Sequence, residues 1–136
     1  GRAESEVARA VADAPPGRIL RTGRVGADTL RALLIRADVL AFPSDDEGFG
    51  LPVLEAMRAG TPVVAADAAA LPEVTGGAAE LVQPGSVTAW SYALGAVLDD
   101  PTRRDHLVAQ GRERAAHYGP ERSAAALLGA WRAAGE

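Results

Sequence analysis

Two carboxylates, Glu47 and Glu55, stand eight positions apart in Ser44-Asp45-Asp46-Glu47-Gly48-Phe49-Gly50-Leu51-Pro52-Val53-Leu54-Glu55. Ionised carboxylates only accept hydrogen bonds, which suits the paired hydroxyls of a ribose or a sugar ring. Between them, Gly48 and Gly50 flank Phe49, so backbone here can approach a ligand without Cβ clashes. The amides of Gly50, Leu51 and Val53 fall at or near the start of a helix. Free amides and the positive end of the helix dipole make an anion site there. Amides for a diphosphate, with a carboxylate on either side for sugars, outline a nucleotide-sugar site. The competing interpretation is structural: glycine-rich strand-to-helix loops occur without ligands, and acidic residues near a helix start can be dipole partners alone.

Other chemistries are short of residues. Cysteine is absent, which removes disulfides, thiolate nucleophiles and Cys-based metal sites and suits a reducing cytoplasm. His106 and His117 are the only histidines, too few for a structural zinc site. Every cation is arginine, so a Schiff-base lysine or a P-loop lysine is ruled out. Asp45 and Asp46 are adjacent and project differently, so they are poor joint metal ligands; no metal and no cofactor is expected. Net charge −4, with two Trp, two Tyr and two Phe, argues against nucleic acid as a partner. No run approaches the ~18 apolar residues of a membrane span, and no signal peptide opens the chain.

The elements around the loop follow from periodicity. With 136 residues, 48% hydrophobic and 24% charged, the chain fits one globular domain, 1–136, without repeat or linker. Helices are expected over Glu4–Ala14, from Thr29 to about Ala37 with Asp28 as cap, and over Pro52–Ala59 with Gly60 as stop. Short apolar strands are expected at Arg18–Thr22, Asp38–Pro43, Pro62–Ala66 and Glu80–Val82. After about residue 86 only helices follow, at about Val87–Leu98, Pro101–His117 and Glu121–Ala134. Apolar strands alternating with helices predict an α/β protein with a doubly wound parallel sheet, whose ligands sit beyond the C-terminal strand ends. The loops to search are Gly23–Asp28, Ser44–Leu51 and Asp67–Pro72. Asp67 is a lesser candidate for the cleft, and Glu73 reads as a cap-type carboxylate. Trp90, Tyr92 and Leu94 read as packing groups, Trp131 as a core or interdomain contact. Arg103, Arg104, Arg112 and Arg114 read as a solvated helix face, and both histidines as surface or helix-end residues.

The run from Glu47 to Met57 resembles the signature of family-four retaining glycosyltransferases of the GT-B fold. The likeness continues through Gly60–Asp67, Leu71–Val74, Gly77–Gly85, Asp100-Pro101, Gly23–Val25 and Ala37–Val39. The resemblance implies the Rossmann-like, donor-binding C-terminal half of such an enzyme, transferring a sugar with retention and without bound metal. It implies that Glu55 holds the donor ribose and that Glu47 faces the donor sugar as the catalytic-site carboxylate. It also implies that the backbone of Gly48, Phe49, Gly50 and Leu51 cradles sugar and diphosphate, and that Arg24 and Val25 border the nucleobase. The implied partners are a nucleotide-diphosphate sugar and an unknown acceptor, and the implied compartment is cytoplasmic. Two departures stand out. The family's Arg/Lys pair for the diphosphate has no counterpart, and the resemblance implies that the first strand, first helix and second strand of this domain, with the acceptor-binding N-terminal domain, are to be expected outside this sequence. The chain alone is therefore expected to be inactive, and any peripheral membrane contact would come through the absent parts. A non-catalytic or degenerate nucleotide-sugar-binding module is the alternative. Another doubly wound protein, such as a nucleotide-dependent regulator, is a third reading that leaves Glu47–Glu55 unexplained.

Overall fold

The computed structural model describes residues 1–44 and 49–119. Their elements run α1 (Arg2–Asp13), α2 (Ala27–Arg36), β1 (Leu40–Phe42), α3 (Leu51–Ala59), β2 (Val63–Ala66), α4 (Leu71–Thr75), β3 (Glu80–Val82), α5 (Val87–Asp99) and α6 (Pro101–Ala116). The strands form one parallel sheet in the order β1-β2-β3. Leu40 pairs with Val63 and Phe42 with Ala65; Val64 pairs with Glu80 and Ala66 with Val82.

Because strand order follows chain order, right-handed crossovers place α3 and α4 on one face. The packing agrees. Val63, Ala65 and Ala66 share a core with Val53, Leu54, Ala56 and Met57 of α3 and with Leu71 and Val74 of α4. Val64 points the other way, to Val97 of α5 and Leu107 of α6. The sheet is thus covered on both faces, and β2, apolar throughout, is buried at all four residues. The expected α/β layout holds.

One expected strand is absent. Among the described residues, Arg18–Thr22 pairs with no strand, with Ile19 47% and Leu20 83% exposed. Local sequence can favour extended backbone, but a strand exists only when a neighbour takes its hydrogen bonds. Smaller differences concern ends. Gly26, not Asp28, is the N-cap of α2; Asp28 sits in its first turn. The last expected helix, Glu121–Ala134, and Trp131 lie outside the described residues. Tyr92 is 80% exposed rather than packed, whereas Trp90 and Leu94 do pack against the core.

The helix after the sheet is tied down by arginines. Asp100 caps α6 by accepting from the Arg103 amide at 3.1 Å, with Pro101 in the first turn. Arg103 pairs with Glu80, and Arg104 donates to the Leu98 carbonyl at 2.6 Å. Arg114 donates to the carbonyls of Val74 (3.0 Å) and Glu73 (2.7 Å), at the C-terminal end of α4. Cationic donors there satisfy orphan carbonyls and oppose the dipole's negative end. Arg103, Arg104 and Arg114 are therefore structural clamps, whereas Arg112 is exposed as expected.

Candidate functional site

The site is built where α3 begins, at the C-terminal edge of the sheet. Gly50 is its N-cap, in the left-handed region at φ 74°. A Cβ on Gly50 would lie 2.9 Å from Leu71 Cδ2. The glycine is thus required twice, by its backbone conformation and by its contact with α4. Phe49 packs against the core and meets Tyr118 edge-on, with ring centroids 5.8 Å apart at 70°. Its side chain is an anchor, leaving its backbone as the part available to a ligand. No described side chain caps α3. The Val53 amide, expected to be free, donates to Gly50 O at 3.0 Å. Pro52 has no N–H, so Gly50 and Leu51 hold the backbone donors that remain relevant at this end.

Glu55 is exposed and falls in the second turn of α3, which starts at Leu51. It lines an open groove of about 640 Å³ between α2 and α3. Ala27, Leu30, Leu34 and Ile35 of α2 form the apolar wall, and Arg31 and Arg58 add charge. The two helices are joined at their far ends, where buried Thr61 donates its hydroxyl to the Leu34 carbonyl. Thr61 precedes β2, so that junction lies at the N-terminal edge of the sheet. The first turn of α2 consequently reaches back toward the edge where α3 begins.

Among the expected site residues, Phe49, Gly50, Leu51 and Glu55 are brought to one helix start. Arg24 and Val25 lie in the loop leading to the Gly26 cap of α2 and do not line the groove. Glu47 and Gly48 lie outside the described residues. Asp67 is exposed and its amide donates to Val82 O at 2.8 Å. Two residues on, Ala69 holds φ 52°, a left-handed conformation unusual for alanine. Glu73 is in the first turn of α4, where its charge faces the positive end of the helix dipole, but the N-cap is Ala70 and no side-chain cap hydrogen bond forms there. His117 caps α6 and contacts the Glu113 carbonyl at 2.9 Å, a helix-end histidine as expected. Sequence reasoning missed Arg31 and Arg58. The i,i+3 spacing from Glu55 pointed to Arg58, and the Leu30/Leu34 stripe placed Arg31 at its border.

Among the described residues no helix is long and apolar enough to cross a membrane. The family model described as "Glycosyl transferases group 1" matches residues 1–100. The chain is 45% identical over 91 residues to the MMP alpha-(1->4)-mannosyltransferase of Mycolicibacterium hassiacum, covering 65% of this chain and 22% of that protein. Sucrose-phosphate synthase of Thermosynechococcus elongatus superposes with a TM-score of 0.74 at 30% identity, over 93% of this chain and 31% of that one. The C-terminal domain of a glycosyl transferase group 1 family protein from Francisella tularensis gives 0.67 at 27% identity, over 84% and 58%. The chain spans about a fifth to a third of the curated relatives it resembles, 22% in two of them and 33% in another. With the signature run at the start of α3 and this sheet beneath it, the chain belongs to the group 1 glycosyl transferases and has the fold of their GT-B C-terminal domain.

Proposed function

We propose that this chain is the donor-binding part of a retaining glycosyltransferase that moves a hexosyl group from a nucleoside-diphosphate sugar to an acceptor. The observation that carries the reading is the start of α3. Backbone donors at Gly50 and Leu51 stand at a helix N-terminus, one turn before a carboxylate on a groove wide enough for a nucleoside. In this reading Glu55 accepts from the ribose hydroxyls, and the backbone from Gly48 to Leu51 receives the diphosphate. Arg24 and Val25 border the base. Glu47 faces the sugar, where positive charge grows as the bond to the leaving phosphate breaks. That phosphate takes the acceptor's proton while the new glycosidic bond forms on the same face. The relatives' names support the reaction class: one is a mannosyltransferase and another a D-inositol 3-phosphate glycosyltransferase. The 136 residues by themselves are expected to bind nucleotide without turnover, because GT-B active sites form between two domains.

The test is a thermal-shift and calorimetric series with uridine, guanosine and adenosine diphosphates. A nucleotide at a hundredfold excess over its dissociation constant should add about 2.7 kcal/mol of stability. Glu55→Ala should weaken that nucleotide by roughly 10- to 150-fold, the range of about 1.5–3 kcal/mol for hydrogen bonds to a charged group. Stabilisation by none of the three would overturn the reading.

A further inference from the structure

A closed ring of contacts links Phe49 and Gly50, the two residues that lead into α3. Gly50 lies against Leu71 and Val74 of α4. The Val74 and Glu73 carbonyls accept from Arg114, 3.0 and 2.7 Å away. The Arg114 guanidinium sits 5.2 Å from the Tyr118 ring centroid and donates to the Tyr118 hydroxyl at 3.1 Å. Tyr118 meets Phe49 edge-on, beside Gly50, and its carbonyl accepts from Arg58 of α3. The ring therefore begins and ends on the adjacent residues Gly50 and Phe49, and Tyr118 is the member whose side chain touches both the arginine clamp and Phe49.

We infer that Tyr118, oriented by Arg114, is a positioning residue for the backbone of Phe49, Gly50 and Leu51. It holds their amides in the geometry that receives the donor's diphosphate, and so acts on substrate only through that loop. The diphosphate part of this inference rests on the function proposed above; the positioning part does not. A half-buried phenol on a helix end could serve packing alone. Packing alone does not account for a hydroxyl and a ring face both engaged by one arginine that also clamps α4. Nor does it account for the T-shaped geometry of the Tyr118–Phe49 pair. Edge-on aromatic pairs and cation–π contacts are directional, so they fix angle as well as proximity.

The experiment uses the intact chain with Tyr118→Leu, which keeps apolar bulk, and Tyr118→Phe, which keeps the ring. Amide hydrogen exchange is read residue by residue, and binding is read by calorimetry with nucleoside mono- and diphosphates of uridine, guanosine and adenosine. In Tyr118→Leu the Gly50 and Leu51 amides should exchange about 2- to 12-fold faster, the factor that loss of an aromatic pair corresponds to. The amides of Val64 and Val97 should be unchanged. Diphosphate affinity should fall by a similar factor with monophosphate affinity preserved, and Tyr118→Phe should restore most of both. Unchanged loop exchange, or a uniform acceleration across the sheet and α5, would overturn the inference. If the loop loosens but the wild-type chain binds no nucleoside diphosphate, the positioning role stands and the nucleotide reading falls.

Discussion

The N-terminal stretch before α2 and the segment from Phe49 to Val82 carry similar local signals and meet opposite fates. Both contain a helix and an apolar, strand-like run. Helix α1 has no buried residue among those described, whereas α3 buries Val53, Leu54, Ala56 and Met57. Ile19-Leu20 pairs with no described strand and is exposed, whereas Val63–Ala66 is buried at every position. The difference is not propensity. A helix of 12 residues is marginal alone, and a lone strand leaves its hydrogen bonds to water. What separates the two regions is a partner: β2 has strands on both sides and helices on both faces. Stability should accordingly be concentrated in the second region.

Leu54→Ala is the most severe way to break the comparison. Leu54 is 0% exposed at the centre of the α3 core. Truncating a fully buried leucine costs about 2–5 kcal/mol, through lost transfer energy and the cavity left behind. Val7→Ala on α1 should cost less than about 0.5 kcal/mol, as exposed sites do. Denaturant unfolding of the two variants should differ clearly in midpoint at equal slope. Similar midpoints would mean that α1 has a partner in solution.

Gly50→Ala comes next, and it links stability to the candidate site. A non-glycine residue held in the left-handed region costs about 1–3 kcal/mol. Here the new methyl also enters the space of buried Leu71. The variant should lose stability in that range, and its loop amides should lose protection before those of β2. A neutral result would show that the loop relaxes freely, and would separate the site from the core.

The sequence made the central region legible because its partners are local. Each crossover from β1 through α4 to β3 is short, so apolar runs and glycine stops sufficed to place α3 and β2 within a residue or so. Arg18–Thr22 misled because its pattern reports backbone preference and cannot report a neighbour. The start of α3 was misplaced by one residue because Gly50 caps in the left-handed conformation, which starts the helix at Leu51 instead of Pro52. The groove residues Arg31 and Arg58 and the Tyr118–Phe49 pair were hidden for a different reason. They join elements far apart in the chain, as do the Arg114 bonds to Glu73 and Val74, and charge spacing on α6 alone reads as solvent-facing.

Ala69→Gly sharpens the comparison within the central region. Ala69 bears the one positive φ among described non-glycine residues, in the loop after β2. Relieving left-handed strain gains about 1–2 kcal/mol, while the added freedom of glycine in the unfolded chain returns about 0.4–1 kcal/mol. The net expectation is a stabilisation of a few tenths to about 1 kcal/mol, read as a higher melting temperature. A loss of stability would mean that the Ala69 methyl makes a contact worth more than the strain.

Leu20→Ser should have the smallest effect. With 83% of the side chain exposed, there is little apolar area to return to water, so the transfer term nearly vanishes. Serine also suits a solvated, unpaired segment. The expected change in unfolding free energy is within about 0.5 kcal/mol, with no dependence on protein concentration. A larger loss that grows with concentration would show Ile19-Leu20 buried against another copy of the chain, as exposed apolar β-prone segments invite. In that event the N-terminal region would have the partner that the comparison denies it, and the contrast with β2 would be one of assembly rather than of intrinsic packing. Sedimentation of the wild type and the variant across a tenfold range of concentration distinguishes the two.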